Sequence, residues 1–131
     1  MKKIFTTIIA TFIGILALSA QDQFLGKWTT IDDKTEKPAG IVEIYKDATD
    51  GLYYGKLVDT YGADKSKVGT MIVRGMKYEN GELKGGKIFD PDSEKLYYCT
   101  VKYDAKKNCL DLRGSLDKRG LLGRTQTWIR K

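Results

Sequence analysis

The sequence predicts a small all-β protein: an eight-stranded antiparallel up-and-down barrel behind a segment that is removed. Three observations carry the prediction. Glycine occupies 14 positions, and turn signals recur about every ten residues. Short runs rich in Val, Ile, Tyr, Thr and Trp lie between the turns. No stretch after residue 20 sustains the helical period of apolar residues.

The chain opens on a basic head, Met1-Lys2-Lys3. An almost wholly apolar run, Ile8 to Leu18, follows and ends in Leu18-Ser19-Ala20. These are the three parts of a secretory signal. A spanning helix needs about 20 apolar residues, and Thr6, Thr7 and Thr11 interrupt a shorter run. The expected division is a signal peptide over residues 1–20 and a single barrel domain over residues 21–131. Cleavage is expected after Ala20, or after Ser19. The signal carries two lysines and no acid, so the net charge falls from +6 to +4. Such a mildly basic, mixed surface does not predict a nucleic-acid partner. The pairs Arg74-Gly75, Arg113-Gly114 and Arg119-Gly120 read as turns and strand bends.

The first strand is expected at Phe24 to Ile31, ended by Asp32-Asp33-Lys34. The second is Ile41 to Lys46, ended by the polar run Asp47 to Gly51. The third is Leu52 to Asp59. A loop, Thr60 to Val68, leads to the fourth, Thr70 to Glu79. Asn80-Gly81 then predicts a type I′ turn, because both residues tolerate positive φ. The fifth strand is Glu82 to Phe89, ended by Asp90-Pro91-Asp92. The sixth is Leu96 to Tyr103, the seventh Leu110 to Leu116, and the eighth Leu121 to Arg130 after Asp117-Lys118-Arg119-Gly120. Short connections favour pairing of consecutive strands. Closing the last strand onto the first removes two exposed edges, which an open two-sheet sandwich, the competing architecture, would keep.

The chain has no histidine and two cysteines. A Ser-His-Asp or Cys-His catalytic group and a conventional zinc site are therefore excluded. No metal site and no cofactor are predicted. Asp90-Pro91-Asp92-Ser93-Glu94 alternates oxygen ligands, yet Asp and Pro are what a strand-to-strand turn needs. Alternation places Cys99 with Val101 on the core face of one strand and Cys109 with Asp111 on the polar face of the next. The expectation is two free thiols, Cys99 buried and Cys109 more exposed. On the last strand Leu122, Arg124, Gln126, Trp128 and Arg130 share a face. If Trp128 points inward, Arg124 and Gln126 do so too and need buried partners.

Gly26-Lys27-Trp28 resembles the Gly-x-Trp of lipocalins and other calycin barrels. The resemblance implies that Trp28 closes the barrel base against an arginine of the last strand. Arg124, deeper in its strand than Arg130, is the expected partner. Four blocks carry a closer resemblance: Gly26 to Asp33, Gly86 to Pro91, Leu112-Arg113-Gly114 and Gly123 to Trp128. They are similar to the bacterial envelope family called domain of unknown function 2147. Glu94 stands where that family has glycine, which puts the shape of that turn in question. The resemblance implies a periplasmic or secreted barrel of lipocalin-like form and no activity.

The predicted function is therefore an exported, non-enzymatic barrel that binds a small apolar or amphipathic molecule in the cell envelope. Trp28, Arg124, Gln126 and Trp128 are its candidate residues for ligand binding or barrel closure. The alternative is a structural or protein-interaction barrel with a filled interior and no ligand. The mature protein is expected to be a monomer with no membrane anchor. A void of about 300 Å³ or more, lined by Tyr and Met, would mark the first reading, and a filled interior the second.

Overall fold

The structure, a computed structural model, describes residues 22–131, so the expected signal segment lies outside the described residues. Eight strands follow one another: β1 (Gly26–Ile31), β2 (Pro38–Lys46), β3 (Tyr53–Thr60), β4 (Met71–Glu79), β5 (Glu82–Asp90), β6 (Lys95–Asp104), β7 (Cys109–Ser115) and β8 (Gly123–Arg130). Each pairs with the next, and β8 returns antiparallel to β1 to close the barrel. Alternation sets the faces. On β7, Leu110 and Leu112 are buried while Asp111 and Arg113 face outward, half-exposed. Among the described residues, fifteen buried ones form one core cluster, from Phe24 through Val42, Met76 and Leu110 to Trp128. Burying each such side chain is worth about 1.5–3 kcal/mol.

One turn design recurs four times. In the loops after β1, β2, β5 and β6, an aspartate carboxylate accepts a hydrogen bond from the backbone N–H two residues on. The pairs are Asp32 with Lys34, Asp47 with Thr49, Asp90 with Asp92, and Asp104 with Lys106. The fifth residue of each loop then takes a positive φ: Glu36 at 58°, Gly51 at 73°, Glu94 at 58° and Asn108 at 50°. Glu94 thus adopts the left-handed conformation in the place of the glycine, so the turn keeps its shape and the side chain bears the strain. Asn80 and Gly81, at φ 51° and 83°, turn β4 into β5 with Glu79 opposite Glu82, as the type I′ reading expects.

Some expectations need correction: β2 begins at Pro38 rather than Ile41, and β8 at Gly123 rather than Leu121. The first strand begins at Gly26 rather than Phe24. Residues 22–25 form a turn, with the Leu25 N–H donating to Asp22 O at 3.1 Å, and Phe24 is driven fully into the core. Cys109 is not the more exposed thiol: 3 % of it is accessible, against 5 % of Cys99. It does face outward, but its ladder neighbours are Asp104 and Ile129, and a small thiol sinks between longer side chains. Both cysteines are free. Cys99 pairs with Gly114 and Cys109 with Asp104, which sets the two sulfurs on opposite faces and well apart. Burial pushes the Cys99 thiol up to about 12, which makes it inert at neutral pH.

Candidate functional site

The base of the barrel is closed by a stack built on Trp28. Its indole N–H donates to Phe24 O at 3.0 Å. Tyr103 meets the ring edge-on at 6.4 Å, and Phe24 makes further edge contacts with Tyr78 and Tyr103. The Arg130 guanidinium lies 3.9 Å from the Trp28 ring centroid. Its terminal nitrogens donate to Leu25 O at 2.6 Å and Gln23 O at 2.8 Å. A desolvated cation over indole is worth about 2 kcal/mol. The bonds to Gln23 and Leu25 also tie the entering chain to the last strand. Gly26 makes this possible: φ is +112°, and a Cβ there would stand 3.0 Å from the Arg130 guanidinium.

Arg124 is therefore not the partner of Trp28; Arg130 is. Trp128 does point inward, at 2 % exposure, and Arg130 shares its face. Arg124 lies four residues up the same face, about 13 Å along the strand. There β1 has left: it pairs with β8 only at Trp28 opposite Arg130 and Thr29 opposite Ile129. Arg124 has passed the rim, stands 73 % exposed and pairs with Asp33 at 3.2 Å. Gln126 is half-buried at the same seam and donates to the same carboxylate oxygen, Asp33 Oδ2, at 3.2 Å. Of the four predicted site residues, Trp28 and Trp128 share the core cluster, while Arg124 and Gln126 meet at the rim.

The interior is packed with side chains. A Cβ built on Gly55 would lie 2.9 Å from Val42 and 3.1 Å from Val73, and one on Gly86 would lie 2.6 Å from the Met76 sulfur. Real contacts are not this short, so each glycine seats its strand tightly against the flanking ones, and Phe24, Trp28, Val73, Met76, Leu83 and Leu110 are wholly inaccessible, which leaves no water-sized void beside them. Among the described residues, one interior polar atom is unmatched: Trp128 Nε1 is buried without a hydrogen-bond partner.

Concavity lies elsewhere. A groove of about 800 Å³ runs down the outer wall of β5 to β8. Glu82 and Lys84 of β5, Thr100 and Lys102 of β6, and Asp111 and Arg113 of β7 stand along it. Its floor includes Gly85 and Gly86, where β5 bulges out of register with β6. The β7–β8 loop forms one side with Lys118, Arg119 and Gly120. Arg113 holds that loop in place, donating from Nε to Gly120 O at 2.7 Å and from a terminal nitrogen to Thr125 Oγ1 at 3.4 Å. Glu82 engages Lys84 at 3.4 Å and Lys102 at 3.5 Å. Arg113, Lys118 and Arg119 make no ion pair among the described residues. A smaller hollow of about 200 Å³ opens at the β1–β8 seam beside Asp33 and Gln126.

Sequence reasoning missed this groove. Arg113-Gly114 and Arg119-Gly120 read as bends, which gave no hint that one arginine tethers the loop carrying the other. The Gly85-Gly86 doublet inside a strand was the available signal. Oxygen ligands do not converge at 90–94 either. Asp90 Oδ1 caps the Asp92 N–H, Oδ2 accepts from Ser93, and Asp92 pairs with Lys67 at 2.9 Å.

Comparison with known proteins fits this architecture. A family described as uncharacterized proteins conserved in bacteria (DUF2147) matches residues 26–130. Among solved structures, a protein from the human pathogen Helicobacter pylori, described as belonging to the lipocalin family, is similar in fold. The TM-score is 0.65, with 21% identity over 82% of each chain. No curated protein matches.

Proposed function

The chain belongs to the DUF2147 family of bacterial proteins, and on that premise we propose an exported, non-enzymatic binding protein whose interior is scaffold and whose outer wall makes the contacts. The inaccessible interior carries this reading, since Phe24, Trp28, Met76 and Leu83 are wholly buried against one another and a ligand of ordinary size needs about 300 Å³ or more. The basic head and apolar run of residues 1–20 support export to the periplasm or beyond. The sequence holds no histidine, the commonest general base, which supports a binding role over a catalytic one.

A second reading, a small amphipathic ligand inside the barrel, is favoured by the unmatched indole N–H of Trp128, a donor that a buried carbonyl oxygen would satisfy. The two readings separate in one titration. A neutral apolar fluorophore such as N-phenyl-1-naphthylamine is added to the folded protein, and its uptake is followed with the emission of Trp28 and Trp128. No saturable uptake is expected. Saturable one-to-one uptake with tryptophan quenching would establish the interior site instead. For export, the intact mass of the product should place its start at Gln21 or Ala20. Recovery of the full 131-residue chain from the membrane fraction would overturn it.

A further inference from the structure

We infer that the groove on the outer wall of β5 to β8 binds an anionic oligosaccharide, a sugar chain bearing carboxylate or phosphate groups. This rests on the reading of the outer wall as the binding face. The groove presents five cationic side chains and two acidic ones, an excess of three positive charges. Only Lys84 and Lys102 have carboxylate partners, both in Glu82. Arg113 is half-buried and oriented by Gly120 O and Thr125, so its guanidinium is fixed before any ligand arrives. Planar, oriented guanidinium groups suit carboxylate and phosphate oxygens.

The rest of the lining selects a sugar over other anions. Tyr98 adds a ring whose one face carries the Lys87 ammonium at 5.0 Å from the centroid, and Thr100 and Thr125 supply hydroxyls. Asp111 accepts from Thr127 at Oδ1 and keeps Oδ2 as an acceptor for ligand hydroxyls, which a phosphate or a nucleic acid largely lacks. A strand of nucleic acid places a charge on every residue and would meet the Asp111 and Glu82 carboxylates unfavourably. A glycan charged at intervals can alternate between the cations and the acceptors. The floor allows close approach, because Gly85 projects no side chain and a Cβ there would meet nothing within 4 Å. A volume of about 800 Å³ lies within the range of ligand sites.

The test is calorimetric titration of the folded protein with a galacturonate hexamer and with a phosphorylated oligomannose. Maltohexaose, an oligothymidylate hexamer and inorganic phosphate serve as comparisons. Lys118 and Arg119 are exposed, so Lys118→Gln with Arg119→Gln should leave the melting temperature unchanged. Lys34→Gln with Lys37→Gln removes the same charge outside the groove. We expect one or both acidic sugars to bind, and to weaken about tenfold or more in the groove variant only, with the salt slope falling by about 2. Which acidic sugar binds identifies the charged group. Failure of both acidic sugars to bind overturns the proposal. So does equal weakening by the control pair, or binding of maltohexaose, oligothymidylate or inorganic phosphate as tight as that of the acidic sugars. If the sugars fail while the apolar fluorophore is also excluded, the scaffold reading stands and only the ligand class falls.

Discussion

The two ends of β8 carry arginines on one face, and they have opposite fates. At the base, Arg130 lies over Trp28 and donates to two backbone carbonyls from the entering segment. At the rim, Arg124 is mostly exposed and makes one ion pair with Asp33. The difference teaches where this barrel is stapled and where it is loose. At the base β1 and β8 are joined in register, the turns are short, and Phe24 plugs the axis. At the rim β1 and β8 part, the longer β3–β4 loop leaves Tyr61 and Val68 exposed, and the β7–β8 loop leaves Leu116, Leu121 and Leu122 exposed.

Replacing each arginine by alanine is the strongest test of that contrast. Arg130→Ala should destabilise by about 2–4 kcal/mol, because Trp28 loses its cation and the Gln23 and Leu25 carbonyls lose their donors. Arg124→Ala should cost under about 0.5 kcal/mol, the worth of an exposed ion pair. Denaturant unfolding measures both, and equal costs would erase the distinction between the ends. Gly26→Ala sharpens the same point. With φ at +112° and the guanidinium 3.0 Å from the new carbon, we expect a loss of about 1–3 kcal/mol. If instead it were silent, the glycine of the Gly-x-Trp would have no part in seating Arg130.

The rim should respond to smaller changes. Glu94→Gly relieves a left-handed residue in the β5–β6 loop and should stabilise by about 0.5–1 kcal/mol. A rise in melting temperature checks it, and a fall would mean that the side chain supports the turn. Acid should loosen the rim loops, and the β2–β3 loop of the base where the Tyr54 hydroxyl holds Asp50 low, by a still smaller, distributed effect. Hydrogen bonds from the Thr35 N–H, the Lys65 ammonium and the Leu122 N–H hold Asp32, Asp59 and Asp117 below the ordinary carboxylate value of 3.8. A carboxylate with a lowered folded pKa contributes stability above its unfolded value and loses it as pH falls through the folded one. Hydrogen exchange in the loops at 32–36, 60–70 and 116–122 should therefore rise below about pH 4, while β7 stays protected. Uniform loss across the barrel would contradict this.

The sequence by itself determined what is local. Alternation fixed which residues of β6 and β7 face the core, and so that Cys99 and Cys109 lie on opposite sides. Asp, Asn and Gly at the turns fixed where strands end, and short connections made each strand pair with the next. Tertiary structure alone decided what depends on depth and on distant neighbours. Parity put Arg124, Gln126, Trp128 and Arg130 on one face but could not say how far up that face the barrel reaches. That limit is set where β1 leaves β8, a long-range register. Phe24 looked like a strand residue because its burial at the base requires Tyr78 and Tyr103, more than fifty positions away, to meet it. The basic groove exists only because Arg113 draws the β7–β8 loop against the wall of the barrel, bringing Lys118 and Arg119 beside Lys84 and Lys102. Charges scattered through sequence become a site through that fold of the chain.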